Sequence, residues 1–365
     1  MKILISRKDL CNTASGVPRI VIDELKYFHH LGHTPFAIAE KINGELIRES
    51  EGIPVKTYRF PISGYMRRRF YQWQVERWIS KHHPDLIIGH GDILHQDILF
   101  IHNCVHLAHE LIENKPLPSS DEVGRIQTDI FTKGSFKRLV CNSELMKDDL
   151  VARFGLDPAK AVVIYPEVNL TKFKVSDPQK VKREWREKLG IPQDAFVFGL
   201  VTSGNHKKRN LDLLIKAFKT LNKNHPHTYL FVGGGKLDEH YKEMICEGVT
   251  FAPTTADVKN YLYLMDAFVL PAHIEEFGIS VLEAMYCGKP VIVSSRVGAG
   301  EVLEGVAREL ILKTLEEEEL VQKMKRLLGP AFYQEVKEIN LLAAQKLNGN
   351  CQNKMLEQVL ADLHF

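Results

Sequence analysis

The sequence predicts an α/β protein of two similar halves, each a parallel sheet covered by helices, with a cleft between them. Three observations carry that expectation. The chain has 365 residues, too many for one ordinary α/β core. Short β-branched, apolar runs alternate with longer stretches of helical period. The alternation breaks once, over Thr171–Gln193, where Asp177-Pro178, the charged run Lys180–Lys188 and Gly190-Ile191-Pro192 read as a linker plus a capping helix. The expected domains are therefore 1–167 and 168–344.

In the first half the strand candidates are Ile3–Ser6, Thr34–Ala39, Leu86–Gly89, Leu99–His102, Leu139–Asn142 and Val162–Tyr165. The first helix is marked by Pro18 in its opening turn and Gly32 at its end. Ile20, Val21, Leu25, Phe28 and Leu31 form its apolar stripe. The second series comprises Val197–Val201, Thr228–Val232, Val249–Phe251, Ala267–Leu270, Val291–Val293 and Glu309–Leu312. A helix over Val321–Leu328 stops at Gly329-Pro330, and the rest of the chain is helical. Its apolar positions, among them Leu341, Leu342, Leu356, Val359, Leu360 and Leu363, predict that 345–365 folds back onto the first domain.

Composition excludes several classes. Lys plus Arg number 48 and Asp plus Glu 46, so no overall field attracts nucleic acid. No apolar stretch is long enough to span a membrane. Met1 leads directly into a strand-like run with no leader-type basic or apolar region, which predicts a cytoplasmic protein. The six cysteines are scattered without a C-x-x-C pair and read as buried small hydrophobes in a reducing compartment. No G-x-G-x-x-G follows Ile3–Ser6, which disfavours a NAD-dependent enzyme.

The segment His273–Glu283 concentrates the chemistry. Leu270 ends a buried strand, Pro271 opens a loop, and Ser280 stands where a helix N-cap belongs. Ser280-Val281-Leu282-Glu283 fits a capping box, in which Glu283 only returns a hydrogen bond to the helix start. In the competing reading, the free N–H groups of Ser280, Val281 and Leu282 cradle a diphosphate. Glu275 and Glu283 then accept hydrogen bonds from sugar hydroxyls. The loop Ser203-Gly204-Asn205-His206-Lys207-Lys208-Arg209-Asn210 supplies three adjacent cations ahead of an amphipathic helix. It is either a solvated loop or the group that meets charge on a departing diphosphate.

Glu275 and Glu283 with seven residues between them, and Phe277-Gly278 inside, resemble the signature of the retaining glycosyltransferases of family four. They are also similar to the bacterial lipopolysaccharide-core enzymes within it. Further likenesses follow in the family's order: Ser15-Gly16, Cys141-Asn142-Ser143-Glu144, Tyr165-Pro166-Glu167-Val168-Asn169, Leu200–Phe218, Val232-Gly233-Gly234-Gly235 and Gly298-Ala299-Gly300-Glu301. The resemblance implies the GT-B fold, two Rossmann-like domains facing each other across a cleft. It implies a nucleotide-sugar donor, with UDP the family's commonest nucleotide, a saccharide or glycolipid acceptor, and no metal or other cofactor. It also implies residue roles. Glu283 would hold the donor ribose, and Glu275 would contact the transferred sugar. Arg209 and Lys208 would meet the phosphates, with Gly204 in the same loop, and the base would lie near Pro253 and Thr254. Ser15, Gly16 and Arg19 would form a loop where phosphate or acceptor approaches; as a plain sequence feature, Gly16 only makes a turn.

His102, His106 and His109 have a spacing compatible with metal, yet no carboxylate or cysteine array completes a site. By the resemblance His102, at a strand end, corresponds to the family histidine near the reacting carbon, and His106 is the alternative. Each is equally readable as a satisfied core histidine. The helix Tyr65–Trp78 mixes Arg67-Arg68-Arg69 with aromatics. It is either a solvated helix with inward aromatics, or a surface for an anionic membrane or a phosphorylated lipid-sugar acceptor. The rival to an enzyme is a non-catalytic nucleotide-sugar-binding or scaffold protein of the same fold.

Overall fold

The computed structural model describes residues 1–11, 16–61, 64–166, 170–347 and 351–363, with backbone only at 351–355. Two compact units emerge from its contacts. The first contains Met1–Glu110, Asn114–Tyr165 and the segment from Asn353 onward; the second contains Leu111–Glu113 and Pro166–Gln352.

The first unit is built on β1 (Lys2–Ser6), β2 (Thr34–Ala39), β3 (Ile53–Lys56), β4 (Leu86–Gly89), β5 (Ile98–Phe100), β6 (Arg138–Cys141) and β7 (Ala161–Val163). All seven pair in parallel, in the order β3-β2-β1-β4-β5-β6-β7. β3 went unread in the sequence because Pro54 interrupts it, and an edge strand is where a proline is tolerated. The helix Gly16–His30 buries Val21, Leu25 and Phe28 against the sheet. The expected stripe needs one correction and one addition. Leu31 is exposed, and Glu24, on the same inward face, is buried. Leu356, Val359 and Leu360 from the closing helix Cys351–Asp362 join that same core.

The second unit holds β8 (Phe196–Val201), β9 (Thr228–Gly233), β10 (Val249–Ala252), β11 (Ala267–Leu270), β12 (Val291–Ser294) and β13 (Ile311–Leu312). Their order is β10-β9-β8-β11-β12-β13, again all parallel. The helix Pro178–Lys188 is fixed to this unit by one ion cluster. Fully buried Arg186 donates to the carbonyls of Leu264, Gln193 and Ala195 and to Asp266 Oδ2 at 2.7 Å. Lys182 and the Val197 N–H complete the Asp266 carboxylate at 2.6 and 2.8 Å. A buried guanidinium persists only when paired and hydrogen-bonded, and this one has a partner on every side.

Both sheets are doubly wound, and each reverses direction once, between β1 and β4 and between β8 and β11. Ligand crevices in such sheets open outside the carboxyl ends of the strands at that reversal. The loops after β1, β4, β8 and β11 are therefore where function belongs. Of the cysteines, Cys104, Cys141 and Cys287 are buried as expected, whereas Cys11 is exposed.

Candidate functional site

In the second unit, the loop after β8 is 202–210 and the loop after β11 is 271–278. They are stitched together by the His273 N–H, which donates to Lys208 O at 3.0 Å. Two cation–carboxylate pairs cross between them. Lys208 Nζ lies 2.6 Å from Glu276 Oε2, and an Arg209 guanidinium nitrogen lies 3.0 Å from Glu275 Oε2. Of the loop's two lysines Lys208 turns inward: Lys207 is 58% exposed at its side chain and Lys208 only 15%. Burial holds the Glu275 carboxyl above the ordinary carboxylate range, against the opposing pull of Arg209 and Lys208. His206 is buried against Tyr241 and Phe251 and anchors the loop.

The Glu275 loop also docks on the turn after β12. The Glu275 N–H donates to Arg296 O at 2.9 Å, and the Gly298 and Ala299 N–H groups donate to Glu275 O and Phe277 O at 3.0 and 2.7 Å. Gly278 then turns the chain with φ +98, and a Cβ there would come within 3.3 Å of both Glu275 and Val297. This corrects the expected cap. The helix is Ile279–Tyr286 and its N-cap is Gly278, not Ser280, which is the second helical residue. A glycine cap has no side chain to close a capping box, so the Ser280–Glu283 box does not form. The Val281 N–H donates to Gly278 O at 2.9 Å, so it too is withdrawn from the expected set of anion donors. Among the described residues, the Ile279 and Ser280 N–H groups at the helix start have no acceptor. Val281 and Leu282 are buried in the core, and Glu283 is half-buried in the second turn.

The remaining predicted donor positions collect at the same sheet edge. Gly204 (φ +130) and Gly235 (φ +74) belong to loops that pack so closely that a Cβ on Gly235 would lie 3.0 Å from the Gly204 Cα. Thr254 Oγ1 accepts from the Gly235 N–H at 3.0 Å, and Pro253 O accepts from Tyr261 at 2.9 Å. Phe277 is buried.

In the first unit, Ser15 lies outside the described residues. Gly16 opens the first helix, is exposed, and among the described residues has nothing within 4 Å of a Cβ position. Arg19 is half-buried one turn on. His106 lies 3.4 Å from Thr128 and packs edge-on to Phe154. His102 lies two residues beyond β5 and bonds His90 instead: its Nε2 is 2.9 Å from His90 Nδ1. His90, directly after β4, contacts Glu24 through its other nitrogen, also at 2.9 Å. The sequence reading missed His90 and Glu24. The available signal was a carboxylate on the helix's inward stripe. In the helix Tyr65–His82, Arg67 pairs with Glu40 at 3.0 Å, and Arg68 pairs with Asp92 and Glu122 at 2.9 and 2.7 Å. These two arginines answer acids of their own unit, while Met66 and Trp73 are exposed. No helix among the described residues is long and apolar enough to cross a membrane.

Comparison with known proteins bears on the family and the fold. The family described as Glycosyltransferase Family 4 matches residues 14–172, and Glycosyl transferases group 1 matches residues 181–334. The D-inositol 3-phosphate glycosyltransferase of Salinispora arenicola is 30% identical over 219 residues, 52% of this chain and 48% of that protein. Its counterpart from Actinosynnema mirum is 29% identical over 215 residues, 52% and 50% of the two chains. The chain thus spans about half the length of the curated relatives it matches. Among solved structures, WaaG, a glycosyltransferase involved in lipopolysaccharide biosynthesis, superposes with TM-score 0.75 at 17% identity, covering 97% of this chain and 98% of that one. Anabaena Alr3699/HepE, solved in complex with UDP and glucose, gives TM-score 0.75 at 17% identity over 99% and 100% of the chains. The chain belongs to the GT-B glycosyltransferases of family four.

Proposed function

We propose that the protein is a retaining glycosyltransferase that moves a sugar from a UDP-sugar to a saccharide or lipid-linked saccharide in surface-glycan synthesis. The observation that carries the reading is the crossing of two cation–carboxylate pairs at the switch point of the second sheet, beside an open helix start. A diphosphate entering there meets the Ile279 and Ser280 N–H groups, Arg209 and Lys208, which are aimed at where negative charge grows as the glycosidic bond breaks. Arg209 exchanges its contact with Glu275 for phosphate, and Glu275 is left to accept from hydroxyls of the transferred sugar. Glu283 takes the ribose, and the base lies against Pro253 and Thr254.

The acceptor approaches over the first unit, near Gly16, Arg19 and His102. Departure of the diphosphate needs no metal in this scheme, because side-chain cations and helix-end dipoles neutralise it. The nucleotide in the Anabaena complex supports UDP, and the lipopolysaccharide role of WaaG supports a surface-glycan acceptor at the cytoplasmic membrane face. Any contact with that membrane involves Met66 and Trp73, with Arg77 over the Trp73 ring, rather than Arg67 or Arg68.

The test is donor hydrolysis and thermal shift across a panel of UDP-, GDP- and ADP-sugars, on wild type and Glu283→Ala. Stabilisation by UDP-sugars, weakened about ten- to a hundredfold in apparent affinity in the variant, is the expected result for loss of a charged hydrogen-bond acceptor. A wild type that binds none of the panel sinks the reading and favours a scaffold role.

A further inference from the structure

A chain of three side chains lies at the switch point of the first sheet. Glu24 Oε2 is 2.9 Å from His90 Nε2, and His90 Nδ1 is 2.9 Å from His102 Nε2. Glu24 and His90 are buried, and the two imidazoles lie within 7° of parallel. Among the described residues both ends of the chain are orphaned: Glu24 Oε1 and His102 Nδ1 are buried without a hydrogen-bond partner. A neutral imidazole carries one N–H, so each ring passes polarity on: a ring that accepts on one side donates on the other.

We propose that Glu24 and His90 are positioning residues that set the polarity of His102, so that a protonated Glu24 makes His102 Nδ1 a hydrogen-bond donor to a ligand oxygen. The use of that donor, to hold a hydroxyl of the bound sugar, rests on the transferase reading. Protonated at Oε2, Glu24 donates to His90 Nε2. His90 then carries its proton on Nδ1 and donates to His102 Nε2, which leaves the His102 proton on Nδ1. With Glu24 ionised the arrows reverse, and His102 Nδ1 becomes an acceptor. The interconversion takes up one proton from solvent and breaks no covalent bond between heavy atoms.

The charges around the chain favour the protonated form. Burial raises the Glu24 carboxyl well above its ordinary range, with no cation opposing it. Burial likewise lowers His90 and His102, so neither becomes the counter-cation; Arg7 adds to both shifts, and Asp92 opposes at His90. Arg7 is itself paired with Asp92 at 3.1 Å, and Arg19 and Lys26 act on neighbouring Asp23 rather than on Glu24. An unpaired buried N–H is costly, and an oxygen bound at the crevice relieves that cost at His102 Nδ1.

Two measurements test this. Long-range 1H–15N spectra of histidine-labelled protein, without substrate, read the tautomers directly. His90 and His102 are expected to carry protons on Nδ1 in wild type and in Glu24→Gln, whose amide donates to His90 as the protonated acid does. In Glu24→Met the single tautomer is lost. Sugar transfer as a function of pH gives the second reading. Wild-type activity falls as Glu24 ionises on the alkaline side; Glu24→Gln removes that fall, and Glu24→Met loses about tenfold in kcat/KM. A His102 proton on Nε2 in the wild type overturns the proposal. So does a Glu24→Gln variant as impaired as Glu24→Met. The expected tautomers in a wild type that turns over no nucleotide sugar would uphold the relay and overturn the transferase reading.

Discussion

Replacing Asp266 with Asn tests whether the helix Pro178–Lys188 is held by a compensated buried charge. The carboxylate accepts from Arg186, Lys182 and the Val197 N–H, and Arg186 has no solvent exposure. Asn keeps the shape but removes the charge and turns one acceptor oxygen into a donor facing donors. Breaking a buried pair from one side costs about 3–5 kcal/mol. Lys182 remains partly solvated, which places the expected loss at the lower end. For a unit of this size, a loss of about 3 kcal/mol lowers Tm by ~6–12 °C. Urea unfolding followed by Trp185, on the same helix, reads the effect in the second unit. Because Arg186 supplies the unmet charge, the double variant Arg186→Met, Asp266→Asn should lose less than the sum of the single variants. A single-variant loss below ~1 kcal/mol would refute the reasoning and indicate that solvent already compensates the pair. The pH dependence has a definite sign. Burial pushes the Asp266 carboxyl up, but Arg186 and Lys182 outweigh it and leave it below the ordinary value. The pair's contribution is therefore fully present above the unfolded carboxylate pKa of about 3.9 and is lost as pH falls through the lower folded value.

Lys289 is expected to act with the same sign in an alkaline window. Its ammonium is buried against the carbonyls of Tyr263 and Met265, and burial pulls it down to about 8. The unfolded chain then binds more protons from about pH 8 to about 10.4, so wild-type stability gains relative to Lys289→Met across that window. A Tm difference between the two proteins that stays flat over the window contradicts this. Gly278→Ala places a Cβ at φ +98 within 3.3 Å of Glu275 and Val297, and should cost about 1–2 kcal/mol while lowering kcat by displacing Glu275. Wild-type kcat in a destabilised variant would show that Glu275 does not need this placement.

The sheets were legible where strands are buried on both faces, as at Thr34–Ala39, Leu86–Gly89 and Ala267–Leu270, because continuous apolar runs mark such strands. β3 was not, since Pro54 and a half-buried edge erase the run. The signature around Glu275 could be read as chemistry, but its local geometry could not. Ser280 is the better N-cap by propensity, yet Gly278 takes the place because the loop must bond Arg296, Gly298 and Ala299. Which lysine faces Glu276 depends on the docking of two loops 68 positions apart. The Glu24–His90–His102 chain joins residues from a helix and two strand ends, and no short window contains it.

The most direct measurement is calorimetric titration of UDP into wild type, Arg209→Lys and Arg209→Met, with each variant's Tm confirming that it is folded. If Arg209 and the helix start at Ile279 form the diphosphate site, Arg209→Met binds UDP about ten- to a hundredfold more weakly than wild type, and Arg209→Lys falls between them. Equal UDP affinity in the three proteins, or no binding by the wild type, would contradict the assignment.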